Sequence, residues 1–398
     1  MVLSLPTLLF ILSAASIVYV LFGYPLVLAG LSRVRKRPVL ASPVLKSVTV
    51  VLPVRDGEQW LENKLQSILN LHYPRKLLEI LVVSDGSEDR TDEIAGRFAS
   101  EGVSLIKIAR SGKAAAINEA LRRATGDIIF FTDVRQELEP DSLRFLVNCF
   151  ADPAVGAASG ELVILDGQTH EHADVGLYWK YEKWIRNRLS QLDSVPGATG
   201  CIYAIRRALA VPLPAGTLLD DVYEPLAAFF RGYRVILEPK AKAFDYPTAL
   251  QSEFGRKVRT LAGVLQIIRH YPKLLSPSNR MLGHFISHKL GRLVLPYLLI
   301  AVAITSFLLP APWRWWALAG QAVFYSLAVL DLMIPEKSKL KRLTSPVRVF
   351  VVLMGAAMCA ASILFRSKDS LWKNTVVAPA MNVNPDLVPG LRTKECEK

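Results

Sequence analysis

Acidic residues close three strand-like runs of this chain: Asp85 in ILVVSDGSEDRT, Asp133 in IIFFTDVRQ, and the pair Asp220-Asp221 in LLDDVYEP. In an alternating α/β chain the C-terminal ends of strands border the crevice where open sheets bind ligands, so carboxylates repeated there predict an enzyme site for a phosphorylated substrate. A carboxylate in such a place can take a proton from an attacking hydroxyl or ligate a hard cation alongside phosphate oxygens.

The elements that must position these acids lie between Ser47 and about Pro272. Runs rich in β-branched and large apolar residues predict strands at Val48–Pro53, Leu78–Ser84, Val103–Ala109, Asp127–Thr132 and Val155–Leu165. Amphipathic stretches between them predict helices at Trp60–Leu71, Thr91–Glu101, Lys113–Ala124 and Ser142–Phe150. Regular alternation of the two argues a mostly parallel sheet with helices on both faces, in a single domain. After Leu165 the pattern changes to a long polar-aromatic helix, Tyr178–Leu192, and a Gly-rich loop, Val195–Gly200. The change suggests a nucleotide half followed by an acceptor half.

Composition says where such a domain sits. With 51% hydrophobic and 21% charged residues and a mean hydropathy of +0.28, the 398-residue chain is too apolar for an ordinary cytosolic enzyme and too interrupted by charge for a pure transporter. Residues 1–32 carry no charge and are closed by Arg33, Arg35, Lys36 and Arg37, which predicts an uncleaved anchor with its C-terminal side in the cytosol. Three more apolar stretches, Leu290–Leu309, Trp315–Ile334 and Val347–Phe365, predict further spans within residues 290–365. Pro310, Pro312 and the tryptophans at 313, 315 and 316 mark a membrane-surface turn, and the basic run Lys337–Arg342 holds the next loop on the cytosolic side. Four crossings would leave the tail, residues 366–398, outside although Arg366, Lys368 and Lys373 follow the last span. Either one segment does not cross or the charge rule is weakly broken. Residues 253–285 read as a basic amphipathic segment for the membrane interface. The net charge of +13 clusters beside these spans, so it predicts contact with anionic lipid and not with nucleic acid. Cys149, Cys201, Cys359 and Cys396 show no metal-ligand spacing and read as free thiols.

In this order the motifs from Val48 to Ala262 resemble the membrane-bound family-2 glycosyltransferases, inverting enzymes of GT-A fold that include the cellulose, chitin, hyaluronan and poly-N-acetylglucosamine synthases. The resemblance implies a GT-A domain over residues 47–252, a nucleotide-sugar donor, UDP-linked, and a divalent metal, Mg2+ or Mn2+. It places Pro53, Arg55 and Glu58 near the nucleoside and gives Asp85 the uracil ring, whose N–H a carboxylate can accept. Lys113 and Asn118, in SGKAAAINEAL, match a Gly-Lys-x-x-x-x-Asn element near the diphosphate. Asp133 matches the first residue of a metal-binding Asp-x-Asp pair. In the acidic pair Asp221 matches the catalytic base and Asp220 stands where the family usually has Glu. Gly197 and Gly200, in VPGATGCIYAIRRAL, fall in the loop that shapes the sugar pocket, and Tyr181, Glu182 and Trp184 precede it on a helix. Arg256 and Arg259 fall where the family keeps Gln-x-x-Arg-Trp, with Arg259 implied to meet the departing diphosphate.

Two departures matter. Asp133-Val134-Arg135 replaces the second carboxylate by a guanidinium, leaving either a single-Asp metal site completed by water and phosphate or a site in which Arg135 itself neutralises phosphate. In Arg256-Lys-Val-Arg259-Thr260 both Gln and Trp are missing, which favours transfer of one sugar to a membrane-associated, lipid-linked or glycan acceptor over processive polymerisation. The expectation is a multi-pass membrane enzyme with a cytosolic catalytic domain, acting in exopolysaccharide or glycolipid synthesis. The alternatives are a processive synthase and a non-catalytic nucleotide-sugar-binding scaffold.

Overall fold

The computed structural model describes residues 4–165, 170–246, 250–335 and 338–361, and their side chains apart from 170–179, 250–253 and 361. These residues form two compact units: one from the described parts of residues 1–35, 166–185 and 247–377, the other from 36–165 and 186–246.

The second unit is built on one sheet of eight strands in the order β3-β2-β1-β4-β7-β6-β8-β5. Its strands are β1 (Val48–Val54), β2 (Leu78–Asp85), β3 (Val103–Ile108), β4 (Ile128–Phe131), β5 (Glu137–Leu138), β6 (Val155–Ile164), β7 (Tyr203–Arg206) and β8 (Arg234–Asp245). The first four strands in the chain pair in parallel, with β1 flanked by β2 and β4. The nearly continuous apolar runs of β1 and β2 fit strands covered on both faces. Pro53 has no N–H to give, and the β1–β4 ladder stops before it, at Val51 opposite Phe131.

The expected parallel pairing holds through this half and again between β6 and β8, but not throughout the sheet. β7 runs antiparallel to both β4 and β6, and β5 antiparallel to β8. The long helix His170–Leu192 enters the chain between β6 and β7, so strict strand–helix alternation ends there. The flanking helices bury one stripe each: Glu58–Leu69 buries Leu61, Lys64, Leu65 and Ile68, and Lys113–Arg123 buries Ala114, Ala116, Ile117 and Ala120.

Among the described residues of the first unit four helical segments are long and apolar enough to cross a bilayer: Leu5–Val34, Leu282–Ser306, Trp313–Met333 and Lys341–Ala360. Trp313, Trp315 and Trp316 are exposed at the start of the third. Asp331, fully buried, accepts from Thr344 Oγ1 at 2.6 Å and Lys341 Nζ at 3.1 Å, tying the third segment to the fourth. The tail, residues 366–398, lies outside the described residues.

Candidate active site

The second unit gathers three predicted carboxylates around one predicted ammonium. Asp85 closes β2 and is nearly buried, and its carboxylate accepts from the Ser111 amide at 2.6 Å and the Gly112 amide at 2.9 Å. That clasp shapes the turn, with Gly112 at φ +89°, from which the helix Lys113–Arg123 starts. Only glycine takes such a backbone angle at little cost. Lys113 Nζ then lies 3.0 Å from Asp133 Oδ1, just beyond β4, and 3.1 Å from Asp220 Oδ2, the first residue of the helix Asp220–Phe230. Asp221 follows directly, so three carboxylates share the neighbourhood of one cation.

The charges tune one another. Burial would lower the Lys113 ammonium, but Asp133 and Asp220 outweigh it and hold its pKa above the usual lysine range. Burial and the adjacent Asp220 push Asp221 up to about 6, against the opposing pull of Lys113. A carboxylate with that pKa is mostly ionised at neutral pH and still basic enough to take a proton. Tyr203, fully buried on β7, is raised well above the ordinary phenol range by burial and by Asp220 and Glu224.

Pro225 explains how the Gly-rich loop comes to rest against the base. Inside the helix it supplies no amide for the carbonyl four residues earlier, which is that of Asp221. This carbonyl instead accepts from the Ala198 amide at 2.7 Å. Arg186 braces the same loop, donating to Thr199 Oγ1 at 3.0 Å and to the Gly197 carbonyl at 3.2 Å. A Cβ at Gly200 would stand 3.2 Å from Asp221 Oδ2, and one at Gly197 2.7 Å from Val222 Cγ2. Both glycines thus let the loop backbone approach the start of the helix Asp220–Phe230.

The other expected site residues meet partners within the protein. Asp85, expected at the uracil ring, accepts from backbone amides that shape the Lys113 turn. Glu58 Oε2 accepts from the Arg90 amide at 3.1 Å, and the Glu58 amide donates to Asp89, which staples the loops after β1 and β2 together. Arg55 pairs with its neighbour Asp56 at 3.4 Å, and Pro53 is half-buried in β1. Both ends of the Asn118 amide bind the Leu213 backbone, at 2.8 and 2.9 Å, so Asn118 holds the loop leading to Asp220. Arg135 Nη2 binds Asp245 Oδ2 at 2.6 Å and Gln136 Nε2 the same oxygen at 2.9 Å, so its guanidinium neutralises a buried carboxylate of the protein. Glu182, in the first unit, pairs with Arg292 at 2.5 Å and His288 at 3.2 Å. Arg256 and Arg259 lie on the helix Leu250–His270, also in the first unit.

A divalent cation has a restricted place here. Among the described residues no three His, Cys, Asp or Glu side chains converge as ligands. The half-exposed carboxylate of Asp133 fits the looser arrangement in which one or two carboxylates and substrate phosphates hold Mg2+.

Three residues of the neighbourhood escape a reading by motif. Arg186 lies on the long helix one turn beyond Glu182. Lys64 is buried on the apolar stripe of its helix, where its ammonium, lowered to about 8 by burial, holds the Gln136 carbonyl at 2.5 Å. A lysine on the apolar stripe between Leu61 and Leu65 was the available signal. Glu224, one turn after Asp220, is wholly buried.

Comparison with known proteins names the architecture. The model of glycosyl transferase family 2 matches residues 49–211. Probable glycosyltransferase YdaM of Bacillus subtilis (strain 168) is 27% identical over 217 residues, 50% of this chain and 51% of that protein. Poly-beta-1,6-N-acetyl-D-glucosamine synthase of Staphylococcus aureus (strain COL) is 23% identical over 248 residues, 58% of each. The chain spans a little over half the length of these relatives. Among solved structures, mannosyltransferase PcManGT from Pyrobaculum calidifontis, in complex with GDP-Man and Mn2+, is similar with a TM-score of 0.69 and 25% identity, covering 90% of this chain and 99% of that one. The sheet is that of the GT-A fold. The matched residues run from β1 to the loop that leads to Asp220, so this stretch of the chain is similar to glycosyl transferase family 2.

Proposed function

We propose that this chain is a membrane-anchored inverting glycosyltransferase that moves a sugar from a nucleoside-diphosphate donor to a single acceptor hydroxyl presented at the membrane. The observation that carries the reading is Lys113 Nζ held 3.0 and 3.1 Å from Asp133 and Asp220, with Asp221 beside them. Asp221 takes the proton of the acceptor hydroxyl as its oxygen bonds to the anomeric carbon. The bond from that carbon to the diphosphate oxygen breaks, and its electron pair leaves with the diphosphate. Lys113 offsets the charge that grows on the leaving group. Asp133 would hold a divalent cation together with diphosphate oxygens, which supplies further countercharge.

The donor nucleotide and acceptor follow less directly. The solved neighbour is bound to GDP-Man and one relative is named for N-acetylglucosamine polymer synthesis, so guanosine- and uridine-linked sugars are the candidates. The four apolar segments support a multi-pass membrane location, with the basic cluster after Ser32 favouring a cytosolic catalytic domain. The stretch Arg256–Thr260, without Gln and Trp, favours single transfer.

The test incubates membranes containing the full chain with a panel of labelled UDP- and GDP-sugars and Mg2+ or Mn2+. One donor is expected to be consumed with products one sugar longer than the acceptor, and Asp221→Asn to lower the rate about 10²–10⁴-fold. Consumption of none, or full activity in Asp221→Asn, refutes the reading.

A further inference from the structure

Behind the catalytic pair lies a carboxyl for which the transfer chemistry has no use. Glu224 follows Asp220 by four residues on the same helix, so the two share a face. Its side chain has no solvent exposure. Oε2 accepts from the Val211 amide at 3.2 Å, on the loop that leads to Asp220, and Oε1 meets no hydrogen-bond partner. The Tyr203 hydroxyl on β7 is likewise buried without a partner, and Glu224, Asp220 and Asp221 are among its charged neighbours. Among the described residues Glu224 makes no ion pair; the cation whose charge reaches it is Arg231, at the far end of the helix, whose Nη1 donates to the Ala208 carbonyl at 3.1 Å. A buried carboxylate in these surroundings would carry a charge with no bonded cation and an oxygen with no donor. The neutral acid avoids the first penalty and reduces the second.

We propose that Glu224 is a positioning residue that works as an uncharged carboxylic acid, fixing Val211 and the approach to Asp220 without placing a third negative charge behind Asp220 and Asp221. Burial, with Asp220 adding to it, pushes its pKa up to about 8. The rate consequence rests on Asp221 as the base. Above pH 8 the new anion would disturb both the loop and the pair, so turnover declines there.

Glu224→Gln keeps the shape and the acceptor for Val211 but cannot ionise. Two measurements on the full chain in detergent test the idea. In the first, thermal melting without substrate, the unfolded glutamate ionises near pH ~4.3 while the folded one keeps its proton to about pH 8, so wild-type stability falls across that window. The melting temperature of Glu224→Gln minus that of wild type is therefore expected to widen from pH 5 to 8 and level off beyond. In the second, turnover of whichever sugar nucleotide the wild type consumes, Glu224→Gln should restore the rate lost in Glu224→Ala at pH 7 and lack the decline above pH 8. A melting difference that does not change with pH, or an alkaline limb shared by wild type and Glu224→Gln, overturns the proposal. The melting measurement needs no donor, so it stands or falls apart from the glycosyl-transfer reading.

Discussion

Replacing Lys113 by Met tests the centre of the site, because one ammonium there compensates three carboxylates. At an effective dielectric near 20, contacts of 3.0 and 3.1 Å are each worth roughly 5 kcal/mol before desolvation. Losing one partner of a buried pair costs about 3–5 kcal/mol net, and the partial exposure of Lys113 and Asp133 puts this case near about 3 kcal/mol. Spread over the acids, that is about two pKa units, of which Asp221, with no direct bond to the ammonium, takes about one. The sign follows from charge: without the cation the carboxylate is less favoured, so the pKa rises from about 6 toward about 7. A base active only when ionised loses rate as pH falls through that value. At pH 6 the ionised fraction would drop from about half to about a tenth, a fivefold loss, and at pH 7 the loss from this cause is about twofold. Weaker stabilisation of the leaving diphosphate lowers the rate at every pH, so the position of the acid limb is the diagnostic quantity. The assay is kcat/KM for diphosphate release between pH 5 and 8.5, with Lys113→Arg as the charge-retaining control. An acid limb that stays at pH 6 in Lys113→Met, or moves lower, refutes the electrostatic argument.

Two further substitutions probe the loop beside the base. Gly200→Ala puts a methyl 3.2 Å from Asp221 Oδ2 and displaces the carboxylate by tenths of an ångström, so kcat should fall about tenfold with melting unchanged, and an unaltered kcat would dismiss the contact. Pro225→Ala restores an amide that competes with Ala198 for the Asp221 carbonyl. Loss of that bond, worth about 1 kcal/mol, should speed hydrogen exchange of the Ala198 amide about fivefold, and unchanged protection would show that the proline is not what frees the carbonyl.

Much of the second unit was legible in the sequence because its strands are continuous β-branched runs. Val48–Val54 and Leu78–Asp85 fall within one residue of their expected ends. β5 has two residues, too few for any periodicity, and the reversed direction of β7 depends on how the chain returns after a 23-residue helix. At the site, residue types pointed to Lys113, Asp133, Asp220 and Asp221, whose charges the fold does bring together. The partners of Asp85, Asn118 and Arg135 could not be read, since Ser111, Leu213 and Asp245 reach them only through tertiary approach. Glu224 and Lys64 were hidden for a related reason: a charged residue on a buried stripe looks like an error in the pattern until its neighbours are known.

The bond between Arg135 and Asp245 also constrains how this protein can drift. An acidic residue at position 135 would remove the guanidinium that Asp245 Oδ2 meets at 2.6 Å and leave that buried carboxylate with the neutral donors Gln136 Nε2 and the Tyr246 amide, beside a second negative charge. The single substitution would thus be harmful although it gives the commoner motif, and it becomes acceptable only with a change at Asp245. Positions 135 and 245, distant in the chain, must be inherited as a pair.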